Sequence, residues 1–275
     1  VVAAGIARVV AAMEDPDGRV RGRGFATLEE AGVEVTVGVL EDAARRINIP
    51  FIHHRRTGLP FLVLKLALTL DGRLAAPDGS SRWITSPQTR VLVHEERARS
   101  DAILVGAGTV ITDDPSLSVR DVDVVRRPTR VVVDATGRVP ASAALFTSTD
   151  DAVVIVATTD SSSHEAQTSW KEAGAEVLVL EPSDEGVDLR HLLQELGSRD
   201  VLQVYCEGGA ELATSLMKHR LVDRLQLHYG PKVAGGDGPS IANLGVGSMA
   251  DAIAWTPTDV ARVGGDLLVT LEPGS

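Results

Sequence analysis

Glu207-Gly208-Gly209 stands between an apolar run, VLQVYC, and a helix-patterned run, AELATSLMK. A carboxylate at a strand end, followed by two glycines and a helix, can serve an anion. The helix's first-turn N–H groups are free, and glycine lets a phosphate approach the backbone. The same pair is also ordinary turn punctuation, and it is neither G-x-G-x-x-G nor a P-loop, so both readings stay open. Lys65 lies inside FLVLKLAL, where its ammonium must reach solvent, a carboxylate or a ligand. Asp113-Asp114-Pro115 reads in isolation as a turn start. Arg97 and Arg120 are either surface charges or planar forks for phosphate. Trp83, in a Gly/Ser-rich loop, is either a packing anchor or a wall for a flat ring.

Metal chemistry has little support. His94-Glu95-Glu96 matches the H-x-E of zinc nucleobase deaminases, but P-C-x-x-C is absent and Cys206 is the chain's single cysteine. No metal is therefore expected, and His94 reads as a solvated helical histidine. His53-His54, beside Arg55-Arg56, reads as a polar surface turn. Ser215-Leu216-Met217-Lys218 matches S-x-x-K with nothing else of the penicillin-binding signature, which makes it a chance match.

The elements that must hold these residues follow from the hydrophobic pattern. The runs 61–68, 102–106, 129–135, 153–158, 176–180 and 201–206 read as strands, with helices over 87–99, 164–173, 188–197 and 209–218. Near-continuous Val/Ile/Leu strands alternating with helices indicate a mainly parallel sheet covered on both faces. The tail runs RLQLHYGP, DVARVG and DLLVTLE lack a long helix between them and predict antiparallel strands at one side. Ligands of such sheets bind beyond the carboxyl ends of the strands. Four polar clusters fall there: 69–90, 107–120, 134–138 and 207–215. Before the sheet, residues 1–58 carry strands over 7–13 and 33–37, helices over 26–31 and 41–47, and a connector, RRTGLP.

Composition narrows the class. The chain has 275 residues, 44% hydrophobic, with a net charge of −11, which suits a packed core and repels nucleic-acid phosphates. Aromatics at 3% leave few platforms for stacking bases. Apolar runs are strand-sized, so neither a membrane span nor a signal peptide is expected. The lone cysteine fits a reducing compartment, and a soluble cytoplasmic protein is expected.

Taken together, KLALTLDGRLA, SRWITSPQTR, DAILVGAGTVITDDPSLSVR, RVVVDATGRV and EGGAEL resemble the reductase domain of the bacterial bifunctional riboflavin-biosynthesis deaminase/reductase. The resemblance covers residues 59–275. It implies a dihydrofolate-reductase-like α/β fold, a mixed and mainly parallel sheet with helices on both faces, a homodimer, and NADPH as cofactor. The implied reaction reduces the ribosyl chain of 5-amino-6-(5-phosphoribosylamino)uracil to the ribityl product. Residues 1–58 resemble the end of the same family's deaminase domain, a partial deaminase-like α/β segment without the zinc ligands. Deaminase activity is accordingly not expected from this chain.

Residue by residue, the resemblance places cofactor contacts at Ala67, Trp83, Thr109, Asp113 and Ala135. It adds the 209–215 turn: Gly209, Ala210, Glu211, Leu212, Ala213, Thr214 and Ser215. Substrate contacts fall on Ser81, Arg97, Leu117, Arg120 and Glu207, with the two arginines expected at the phosphate. Ala135 departs from a serine common in the family, and Thr136 is a candidate to replace that hydroxyl. Asp113, Glu207 and Lys65 are the expected catalytic groups, carboxylates facing positive charge and a lysine relaying a proton. Two alternatives stay open: a reductase of a related diaminopyrimidinone ribosylamine phosphate, and a nucleotide-binding module without turnover.

Overall fold

The computed structural model of the chain describes residues 1–147, 152–241 and 244–274. The N-terminal part pairs β1 (Arg8–Ala11) in parallel with β2 (Glu34–Val37), joined through α1 (Arg23–Glu30). Two helices, α2 (Glu41–Ile47) and α3 (Ile49–Thr57), then lead to the main sheet. The connector expected at RRTGLP is shorter than its sequence suggested, because α3 runs to Thr57 and only then stops at Gly58, whose φ is 75°. His53 and His54 sit on this helix and not in a surface turn. His54 is buried, its Nε2 3.0 Å from the Gly197 carbonyl, and His53 packs edge-on against Phe61. Tertiary burial, which a polar local sequence does not reveal, decides both.

Next come β3 (Phe61–Leu68), α4 (Pro87–Arg99), β4 (Ala102–Gly106), α5 (Ala107–Asp113), β5 (Thr129–Val133), α6 (Ala144–Thr147) and β6 (Val154–Thr158). After them follow α7 (His164–Glu172), β7 (Glu176–Val179), a short hairpin of β8 (Pro182–Ser183) and β9 (Gly186–Val187), and α8 (Leu189–Ser198). The chain ends with β10 (Gln203–Cys206), α9 (Ala210–Lys218), β11 (Arg224–Tyr229), β12 (Trp255–Val263) and β13 (Asp266–Pro273). Among the described residues the main sheet has the order β12-β13-β11-β3-β10-β4-β5-β6-β7. The parallel strands and their helices fall where the apolar pattern put them, to within two residues at most ends.

Alternation along the strands sorts the core into two layers. Leu62, Leu64, Leu66 and Leu68 of β3 pack with Leu192 and Leu196 of α8 and Leu212 and Leu216 of α9. On the opposite face Phe61 and Val63 meet Val93 of α4 and Tyr205 of β10, while Ile103, Val105 and Val132 meet Val110 of α5 and Trp170 of α7. Each such buried side chain stabilises the fold by about 1.5–3 kcal/mol. Helices cover both faces, as the near-continuous apolar strands require. The tail departs from expectation at one strand. β11 runs parallel to β3, because α9 carries the chain back across the sheet; only the β11–β13 and β13–β12 pairings are antiparallel. Among the described residues no helix is long and apolar enough to cross a membrane.

The tail also fixes the long loop after β3. Leu70 N donates to the Lys232 carbonyl and Leu74 N to that of Pro239, each at 2.7 Å, and Arg73 Nη1 donates to the Gly238 carbonyl at 2.9 Å. Asp71 accepts from Thr69 Oγ1 and from the backbone of Ala234 and Gly235, bonds that bring its carboxyl down to about 2. Gly230 lies so close to this loop that a Cβ there would stand 1.9 Å from the Ile84 carbonyl oxygen. We expect Gly230→Ala to push residues 81–86 off the sheet edge and lower unfolding stability by about 1–3 kcal/mol. Urea denaturation followed by circular dichroism measures it.

Candidate active site

The carboxyl ends of β3, β10, β4 and β5 open into one cavity of about 1070 Å³. All four polar clusters singled out in the sequence contribute to its wall, Ser81 and Trp83 from the first, Thr109 and Arg120 from the second, Ala135 from the third and Glu207 from the fourth. At its centre, parallel pairing puts Glu207, at the end of β10, next to Lys65 of β3, since Cys206 is in register with Leu64. Lys65 is therefore on an interior strand, not at an edge, and its side chain lines the cavity.

Arg97, from the last turn of α4, grips Glu207 with two nitrogens. Nε donates to Oε1 in a short contact and Nη2 donates to Oε2 at 2.9 Å. Nη1 donates to the Ser118 carbonyl at 2.8 Å. Both side chains are close to buried, at 11% and 12% exposure. Burial would raise the Glu207 carboxyl, but the charge and fork of Arg97, helped by Lys65 and His94, hold it below the usual range. Glu207 is thus an anion inside the protein. Burial lowers the Lys65 ammonium, with Glu207 opposing and Arg97 adding to the shift. Arg97 therefore meets Glu207 and Ser118 and also lines the cavity.

His94, one turn before Arg97, belongs to the wall of the cavity and is not a solvated surface residue. Its Nδ1 accepts the Arg120 backbone N–H at 3.3 Å, and burial, with Arg97 and Arg120 nearby, lowers its pKa, which suits that acceptor role. The helix holding both residues is anchored from the far end of the chain. Asp266, at the start of β13 and 1% exposed, accepts from Ser86 N at 2.7 Å and Thr89 Oγ1 at 2.6 Å. Ser86 is itself the helix N-cap. Nothing local in the sequence marks Asp266 for this task, because its partners lie about 180 residues away.

The second part of the wall is built around glycine. Gly209 has φ 106°, and a Cβ there would lie 2.9 Å from Thr109 Oγ1. Thr109 Oγ1 in turn donates to the Gly208 carbonyl at 3.2 Å. As N-cap of α9, Gly209 offers no side chain to the first-turn N–H groups, so the helix end faces the cavity with open donors. Gly209, Ala210, Glu211, Leu212 and Ser215 line it, whereas Ala213 and Thr214 turn into the core and do not. Ser215 Oγ and Lys218 Nζ both donate to Glu185, each at 2.6 Å, which gives the S-x-x-K pair a structural use in tying α9 to the β8–β9 hairpin. Glu185 and Gly186 of that hairpin reach the rim, and such a short hairpin carries no strand pattern in the sequence.

Asp113 is the last residue of α5, with Asp114 left-handed at φ 43° after it. Its Oδ1 accepts from Ser81 Oγ at 3.4 Å and its carbonyl accepts from Arg82 Nη2 at 2.5 Å. Trp83, 57% exposed, lies under the Arg90 guanidinium at 4.2 Å, and its carbonyl accepts from Lys232 Nζ at 2.5 Å. Ala67, Leu117 and Ala135 also line the cavity. Buried Cys206, its thiol pushed up to about 12 by burial, has no thiolate to offer.

A model of the RibD C-terminal domain matches residues 60–269. The chain belongs to the RibD family. The riboflavin biosynthesis protein RibD of Aquifex aeolicus is 38% identical over 269 residues, 98% of this chain and 73% of the relative. The RibD structure from Acinetobacter baumannii superposes with a TM-score of 0.88 at 32% identity, covering 100% of this chain and 75% of the other. A Thermotoga maritima diaminohydroxyphosphoribosylaminopyrimidine deaminase/5-amino-6-(5-phosphoribosylamino)uracil reductase superposes at 0.84 with 30% identity, covering 99% and 73%. Within this RibD-family chain, the Arg97–Glu207 pair joins α4 to the sheet at the cavity floor.

Removing one partner of a nearly buried pair leaves the other charge uncompensated. Arg97→Met should cost about 3–5 kcal/mol of stability, read from urea unfolding at neutral pH. Because the folded-state pKa of Glu207 is depressed, its stabilisation is present above its unfolded value of about 4.5 and fades as pH falls through the lower folded value. The stability difference between the parent and Glu207→Gln should therefore shrink below about pH 4.5; a difference that stays constant from about pH 7 to pH 3 would show that folding does not depress the Glu207 carboxyl.

Proposed function

We propose that this chain carries out the reduction step of riboflavin biosynthesis, reducing the ribosyl side chain of 5-amino-6-(5-phosphoribosylamino)uracil with NADPH. One observation carries the reading. A single cavity joins the Lys65–Glu207–Arg97 cluster to a helix N-terminus opened by Gly209. The family membership and the reaction printed for the Thermotoga relative support the substrate.

The residues fit a dinucleotide. The absence of room for a Cβ at Gly209 and the uncapped donors of α9 suit a diphosphate, held with Thr109 and Ser215. Trp83 suits the wall of a flat ring. The bound dinucleotide would supply the hydride. Lys65, its ammonium made more acidic by burial, would give a proton to the sugar ring oxygen as the C1′–oxygen bond opens. The Glu207 and Asp113 carboxylates would face the positive charge that develops at C1′. Arg97 keeps Glu207 ionised and oriented, and Arg97 and Arg120, both on the cavity wall, would take the substrate phosphate. Ser81 and Leu117 complete the substrate side.

We further read residues 1–58 as the end of a deaminase-like domain. Alignments to RibD relatives that span 98% of the chain support it by including this segment. The proposal includes no deamination by this chain, so ammonia release from the pathway's pyrimidine would overturn that part of it. A cytoplasmic homodimer is proposed as well, supported by β12, an exposed edge strand with Val260 60% accessible.

The purified chain should oxidise NADPH only when the phosphoribosylaminopyrimidine is present. Cofactor binding without turnover would leave a nucleotide-binding module. Gly209→Val should abolish cofactor binding measured by calorimetry while the far-ultraviolet spectrum stays that of the parent. Asp113→Asn should lower kcat and kcat/KM together, the signature of a lost transition-state contact. Turnover at the parent rate would make Asp113 a helix-end residue and nothing more.

A further inference from the structure

Trp83 stands on the cavity wall among three cations. The Arg90 guanidinium lies over its indole, 4.2 Å from the ring centroid, and that of Arg82 lies 5.8 Å away. The third, Lys232 Nζ, donates to the Trp83 carbonyl at 2.5 Å. None of the three meets a carboxylate among the described residues. Arg82 Nη2 donates to the Asp113 carbonyl at 2.5 Å, and Arg90 Nη1 to that of Thr85 at 3.2 Å.

Arg90 is the cation fixed against the ring. It is half-buried and lies near the start of α4, whose N-cap Ser86 is gripped by Asp266. Its bond to the Thr85 carbonyl ties it to the loop that carries Trp83. Arg82 is exposed, and its distance is near the outer limit of about 6 Å for a cation on a ring face. A guanidinium packed on one face of the indole leaves the opposite face for a flat ligand ring, and Trp83 is 57% exposed.

Stacked aromatic rings have centroids about 4.5 Å apart or more. A ring on the open face of Trp83 would therefore lie about 8–9 Å from the Arg90 charge, with the indole and not water between them. Two like charges at that separation, partly screened by solvent, weaken binding by roughly three- to tenfold. A reduced nicotinamide is neutral, whereas an oxidised one is a cation.

We infer that Arg90 makes the cavity discriminate between the redox states of its cofactor, holding NADPH in preference to NADP⁺ through a fixed positive charge behind the Trp83 wall. This inference rests on the reading of the cavity as a dinucleotide site with Trp83 against the nicotinamide. Hydride transfer turns the neutral ring into a cation, so the charge favours release of the spent cofactor. Asp113 and Glu207 carry the opposite charge on the same cavity wall. Both are present in every Arg90 variant, so they cancel from the comparison.

Calorimetric titration of the parent, Arg90→Met and Arg90→Lys with NADPH, NADP⁺ and adenosine 2′,5′-bisphosphate tests it. The parent should bind NADPH more tightly than NADP⁺. Methionine keeps an unbranched apolar stem against the indole and removes the charge. The NADP⁺-to-NADPH ratio of dissociation constants should then fall roughly three- to tenfold, mainly through tighter NADP⁺. Lysine keeps the charge and should keep the ratio. The bisphosphate lacks the nicotinamide and should bind all three proteins alike. Tighter NADP⁺ is not what a loosened wall produces, so the ratio separates charge from packing. Arg90→Gln, which retains a donor for the Thr85 carbonyl, should show the same fall and serves if methionine lowers the thermal midpoint. An unchanged ratio in the uncharged variants would overturn the role of Arg90 alone. A parent that binds neither nucleotide would overturn the dinucleotide reading itself and this inference with it.

Discussion

The Arg97–Glu207 ion pair sets the terms for the rest of the site. A carboxylate at the buried end of a central strand is tolerated only if a cation reaches it with good geometry. Here the cation arrives from the last turn of α4 and meets both oxygens. That contact requires α4 to lie at one height along the sheet, and so constrains His94 on the same helix and the Ser118 segment that takes the third guanidinium nitrogen. It also lowers the field around Lys65, which has the Glu207 charge as its main compensation for burial. A local pair of charges thereby fixes a helix and a loop and acts on the acidity of a neighbouring lysine.

The pair could not hold that geometry by itself, because α4 is free to slide along the sheet unless its other end is tied. Asp266 does this from β13, gripping the helix N-cap. The same C-terminal strands, with the segment after β11, clamp the loop that brings Ser81 and Trp83 to the cavity. Close glycine contacts serve that clamp: Gly230 against Ile84 and Gly238 against Ala75 leave no volume for a side chain. The 69–86 loop is thus tied down despite its polar, Gly/Ser-rich composition. Its backbone bonds are made by partners from the far end of the chain.

The two ends of the cavity differ in how they meet an anion. At the α9 end the donors are backbone groups, positioned by a glycine that has neither a side chain nor an ordinary φ. At the rims they are guanidiniums on turns held by buried carboxylates, such as Asp134 beneath Arg138. Backbone donors carry little net charge and tolerate a close, shared diphosphate; a guanidinium recognises a terminal phosphate.

The sequence alone determined the parallel strands, the helices between them and the rim on which the chemistry gathers. Those follow from runs of apolar residues, whose burial preference is a local property, and from glycines at strand ends. It also marked Lys65 as unusual within an apolar strand and Glu207 as a carboxylate at a strand end. Only the tertiary structure decided that Arg97 meets Glu207, that His54 and His94 are partly or wholly enclosed, and that β11 is parallel. It alone revealed Asp266 and the β8–β9 hairpin as parts of the site. In each case the deciding partner is far away in the chain, and the free energy of a buried charge or hydrogen bond depends on that partner, not on the residues beside it.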